Sequence, residues 1–169
     1  MATMQWDDDL AYMARLTVKK CDYGSNYCIN TNKYRISGQN WAKHYWYGFS
    51  ETISSLLESQ MTSWFDKYKL SNMNFINNMS SVQNGPYTFT VMVHQLSTRI
   101  GCAAVRYSEV NNGINWSTLT TACSYAHNNV LGHKVYVSGP VASKCVTGRN
   151  KDFLNLCSVD EVYDVNIPL

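Results

Sequence analysis

Charge is scarce in this 169-residue sequence. Only 15% of residues are charged, the formal net charge is +2, and no basic run or stripe occurs. Nucleic acid and an anionic membrane surface are therefore not expected partners. Proline is limited to three residues, and no linker, composition shift or internal repeat divides the chain. Its length suits a single core rather than two. Apolar runs break well before the ~20 residues a membrane-spanning helix needs, so no transmembrane segment is expected. The opening "MATMQWDDD" does not have the pattern of a signal peptide. No G-x-S-x-G nucleophile motif is present either.

Cysteine is well represented. The six, Cys21, Cys28, Cys102, Cys123, Cys145 and Cys157, have no metal-type C-x-x-C spacing, and an even number reads as disulfides made in an oxidising compartment. Two glycosylation sequons, at Asn78 and Asn115, point the same way. A secreted protein is expected, with its targeting segment outside this sequence.

Leu10, Met13, Ala14, Thr17, Val18 and Cys21 recur at helical spacing between Asp7 and Lys20, with aspartates first and lysines last, which predicts a helix. A second is predicted from about Glu51 to Leu70 behind a Ser50 cap. Its stripe of Ile53, Leu56, Leu57, Met61, Trp64, Phe65 and Tyr68 is read most simply as core. "KLSNMNFINNMSSVQNGP" reads as a polar surface loop. Asn112-Gly113 is a strong hairpin signal between "RIGCAAVRYSEV" and "INWSTLTTACSYA". A two-residue turn there makes facing positions sum to 225, which places Cys102 opposite Cys123 within disulfide reach. Because "IGCAAV" is apolar on both faces, helices are expected on both sides of an antiparallel sheet, an α+β three-layer α/β/α sandwich. Cys145 and Cys157 are expected to pair within a loop-rich tail.

Several ordered segments resemble one family: "QWDDDLAYMARLTVKKCDYGSNYC", "YRISGQNWA", "SWFDKYK", "FTVMVHQLSTRIGCAAVRY" and "CSYAHNN...GHKVYVSGPVASKCVTGRNKDFLNLCS". They are similar to insect, particularly fly, antigen 5 proteins of the CAP superfamily (cysteine-rich secretory, antigen 5 and pathogenesis-related proteins), met as venom allergens. The resemblance implies the SCP fold over residues 1–137 and a disulfide-stapled extension over 138–169. It also implies an N-terminal segment and first helix that this chain lacks. In such relatives the cysteines matching Cys21 and Cys28 pair with that segment, so here they are expected to be free or joined to each other.

Many members hold two histidines and two acids around a cavity suited to a divalent metal. The matching positions here are Ser25, Gln39, Lys67 and Thr88, so all four lack ligand chemistry and no metal or other cofactor is expected. His94 is then not the family histidine but a helix-end side chain near the sheet. His44, His127 and His133 suggest no completed site. The expected function is a secreted, monomeric, non-enzymatic protein that binds a small hydrophobic ligand or an extracellular protein partner. Trp64, Phe65, Phe89 and Met92 are the candidate ligand-lining residues. The alternatives are a hydrolase or peptidase of the wider family and a truncated, poorly folding product.

Overall fold

The structure is a computed structural model that describes residues 1–20 and 28–168. Four strands form one sheet: β1 (Gln5–Trp6), β2 (Gly38–Trp46), β3 (Arg99–Asn111) and β4 (Ile114–Tyr125), in the order β1-β3-β4-β2. The long strands are antiparallel, and only the two-residue β1 runs parallel to its neighbour β3. β4 is central and is buried continuously from Thr118 to Tyr125.

The hairpin register is the one that Asn112-Gly113 predicts: Cys102 faces Cys123 and the two are disulfide-bonded. Asn112 and Gly113 both have positive φ (51° and 75°), the left-handed pair that such a turn requires.

Helix α1 (Asp8–Lys19) covers one face of the sheet. Asp7 is its N-cap, with a carboxylate that accepts from the amides of Asp9 and Leu10. Leu10, Ala14, Thr17 and Val18 are buried at the predicted spacing. Gly101 lets this helix come close, since a Cβ there would overlap the backbone of Asp7, Leu10 and Ala11.

Helix α2 (Ile53–Phe65) and helix α4 (Tyr87–Met92) cover the opposite face. α2 departs from expectation in both cap and extent. Thr52, not Ser50, caps it, accepting from the amide of Ser55. It passes into a 3-10 turn over Asp66–Leu70. Within α2 the buried positions recur at every fourth residue, a narrower stripe than expected, and the tighter turn, at about 120° per residue instead of 100°, carries only Tyr68 off that line. Leu56, Gln60 and Trp64 are buried, while Ile53, Met61, Phe65 and Tyr68 are exposed.

The stretch read as a polar loop contains helix α3 (Met73–Asn77), capped by Asn72. Its Phe75 and Ile76 form a core cluster with Met79 and Val135. The double cover expected for "IGCAAV" is also incomplete, since Ala104 is exposed.

The tail packs back on the sandwich. Cys145 and Cys157 are bridged. The Cys157 amide donates to the Met1 carbonyl, and Thr3 donates its amide to Cys157 O. Val165 packs against Leu10, Tyr34 and Ala126.

Candidate functional site

Successive strand residues point to opposite faces, and this decides what the residues of "SGQN" can meet. Gln39 faces α1: its amide donates to Ser124 Oγ (2.9 Å) and its Oε1 accepts from Thr17 Oγ1 (3.1 Å). Asn40 faces α4: its Nδ2 donates to the carbonyl of Thr88 (2.9 Å) and to the hydroxyl of Tyr125 (3.4 Å). Thr88 in turn donates its hydroxyl to the carbonyl of Trp64 (3.1 Å). Lys67 lies exposed in the 3-10 turn. Ser25 and Cys21 lie outside the described residues. Gln39 and Thr88 thus lie on opposite faces of the sheet. Gln39 and Thr88 offer only neutral oxygens, the Gln39 one already accepting from Thr17, and Lys67 is a cation, a donor set that suits a divalent metal poorly.

The candidate ligand-lining residues divide into two groups. Trp64 is buried with Val91, Cys123 and Tyr125, and Met92 packs against that cluster. Phe65 and Phe89 meet edge-on at 5.5 Å between ring centres, and Phe89 packs on the separate cluster of Phe75, Ile76, Met79 and Val135. Tyr68, which the sequence reading assigned to core, completes a trio at 5.6 Å from Phe65 and 6.2 Å from Phe89. Phe65 and Tyr68 are each 46% exposed and Phe89 is half-buried, so the trio presents an aromatic surface.

His94 lies just past α4, fully buried, with its ring 4.2 Å from that of His127. Its Nδ1 accepts from the amide of Leu96 (3.3 Å), while its other nitrogen bonds the Lys134 carbonyl. Burial, then the neighbouring His127, push its pKa down to about 3, against the opposing pull of that carbonyl. His127 donates Nδ1–H to Val165 O (2.8 Å) and leaves Nε2 without a hydrogen-bond partner. Burial lowers its pKa as well. The pair is a neutral packing unit at the sheet end. Sequence reasoning gave His127 no partner and missed this pairing, because nothing local relates two residues on separate elements.

Among the described residues, Cys145, Cys157 and Glu161 form a cluster of potential metal donors. The disulfide removes both thiolates, and a Glu161 oxygen is engaged by the amides of Val146 and Thr147. Cys28 is exposed and unbridged. Asn78 and Asn115 of the two sequons are exposed. No helix among the described residues is long and apolar enough to cross a membrane.

Among the described residues, a mixed sheet carries α1 on one face and α2 and α4 on the other, with the Cys102–Cys123 bridge joining its two inner strands. The sequence model of the cysteine-rich secretory protein family, CAP, matches residues 1–125, and the chain belongs to that family. Venom allergen-1 of Aedes albopictus is 32% identical over 163 residues, covering 95% of this chain and 62% of that relative. Venom allergen 5 of Vespa mandarinia is 31% identical over 134 residues, covering 79% and 61% respectively. The chain thus spans about three fifths of the length of these relatives. Among solved structures, NaASP2 with Zn2+ superposes with a TM-score of 0.69 at 22% identity, covering 94% of this chain and 77% of that one. BmVAL-1 gives 0.66 at 24%, covering 94% and 77%. At that identity the likeness concerns the fold.

Proposed function

We propose that this chain is a secreted, non-enzymatic binding protein that holds a small hydrophobic ligand against the aromatic surface of Phe65, Tyr68 and Phe89. The observation that carries this reading is the trio itself. Three rings stand together at the surface, where an isolated exposed aromatic would need no explanation. Aromatic side chains offer large apolar area at small entropic cost, so they suit capture of an acyl chain or a flat apolar molecule. Secretion is supported by the two disulfides and by relatives named as venom allergens. A non-catalytic role is supported by the donor chemistry of Gln39, Lys67 and Thr88, which supplies neither a base nor a metal site to activate water.

Native mass spectrometry of the protein from its natural fluid, together with a peptidase screen, tests the reading. One apolar small molecule retained per chain, with no turnover, is the expected result. Metal-independent peptide cleavage abolished by one side-chain change would overturn it.

A further inference from the structure

Beyond the end of α1, the face of the sheet that this helix covers continues past it. The pleat puts Lys43 and Tyr45 of β2, Thr118 and Trp116 of β4, and Tyr107 and Glu109 of β3 on this one face; Tyr45 and Tyr107 both pair with Thr118, and Glu109 pairs with Trp116. A cleft of about 530 Å³ opens there, lined by Lys43, Tyr45, Glu109, Val110, Asn111 and Trp116. Tyr47 closes one side, its ring meeting that of Trp116 edge-on at 4.6 Å.

The Lys43 side chain is only 7% exposed. Its ammonium lies 3.5 Å from Glu109 Oε1 and over the rings of Tyr45 (4.8 Å) and Tyr107 (5.4 Å). The cation is therefore matched from within, and the aromatic cage around it is already filled. Glu109 also accepts from the Thr118 hydroxyl at 3.2 Å, yet its side chain stays 38% exposed and open to a ligand.

We infer that this cleft binds a neutral glycan, with pyranose rings lying on Tyr45 and Trp116 and sugar hydroxyls donating to Glu109. The chemistry excludes the other candidates in turn. A phosphorylated or sulfated ligand would need an unmatched cation, and Lys43 is spoken for. An acyl chain would strip water from Glu109 and Asn111 without replacing its hydrogen bonds. A proline-rich peptide also favours aromatic grooves, but it presents carbonyl acceptors. The exposed charged group here is itself an acceptor. A sugar supplies both halves of the match: an apolar C–H face for the rings, and hydroxyl donors for a carboxylate, which form charge-assisted hydrogen bonds.

The inference is independent of the aromatic trio on the opposite face. Calorimetric titration of the intact protein with chitotetraose, cellotetraose and maltotetraose tests it. A heparin tetrasaccharide and a decaproline peptide serve as comparisons. At least one neutral tetrasaccharide is expected to bind at sub-millimolar affinity. Tyr45→Ala and Trp116→Ala should each weaken it at least tenfold with unchanged circular dichroism, while Phe65→Ala leaves it intact. Tyr45 is exposed, so its variant reads out binding even if Trp116→Ala disturbs the hairpin. Silence from all three sugars at millimolar concentration would overturn the inference. So would binding indifferent to Tyr45→Ala, or preferential binding of the heparin fragment or the peptide.

Discussion

At neutral pH the stacked rings of His94 and His127 carry no charge, and acid is what they cannot accommodate. An unfolded histidine takes up its proton near pH 6.5, whereas folded His94 resists until about pH 3. Between those values the unfolded chain binds more protons, so stability falls as pH falls. The contribution of His94 is complete above about pH 6.5 and is progressively lost toward pH 3; at pH 5 the loss is about 2 kcal/mol. His127 acts in the same direction. Thermal melts at pH 7 and pH 5 should show a lower midpoint in acid, and His94→Gln should shrink the difference. Equal pH dependence in that variant would count against the account. Asp7 is the other residue on which much converges. It caps α1 and accepts from Lys33 (2.6 Å) and the Tyr34 hydroxyl (2.5 Å). Burial opposes its charge, but these bonds outweigh it and hold the carboxyl below its ordinary pKa. Asp7→Ala should cost about 2–4 kcal/mol in denaturant melts, from a lost cap and an orphaned buried hydroxyl.

Among the elements, those written in local chemistry were legible in the sequence. Asp7 and the Leu10, Ala14, Thr17, Val18 spacing specify α1, and Asn112-Gly113 fixes the hairpin closely enough to pair Cys102 with Cys123. α3 was hidden because Phe75 and Ile76 sit among asparagines, and their partner Val135 is remote in sequence. The exposure of Phe65 and Tyr68 was hidden for another reason: α2 buries a narrower line, Leu56, Gln60 and Trp64, than the periodic stripe, and the change of pitch after Phe65 reorients Tyr68. Of the candidate site, the sequence supplied Phe65 and Phe89 and their aromatic character. It read Tyr68 as core, whereas Tyr68 is exposed, and it named Trp64, which is buried. Since α3 is core, Ile76→Ala should destabilise by about 2–5 kcal/mol, measured by urea unfolding. A loss under about half a kilocalorie would mean that α3 is peripheral. Removing the hairpin bridge by Cys102→Ala with Cys123→Ala should cost about 2–4 kcal/mol. Amide exchange should then quicken in β3 before it does in α2.

On the scale of the whole molecule, the tail closes the fold by clasping both its beginning and its sheet end. Cys157 engages Met1 and Thr3, Asn166 accepts from the Arg35 amide (2.7 Å), and Val165 holds His127. Two open surfaces differ in kind: a polar aromatic cleft beyond α1, and an aromatic trio contributed by α2, the 3-10 turn after it and α4. The second carries the proposed function. The most direct measurement is displacement of a fluorescent fatty acid from the purified protein, compared with a Phe65→Ala, Phe89→Ala double variant. Saturable binding of one molecule per chain, weakened at least tenfold in the variant while its melting temperature is kept, is the result predicted. Equal binding by both proteins, or none by either, would contradict it.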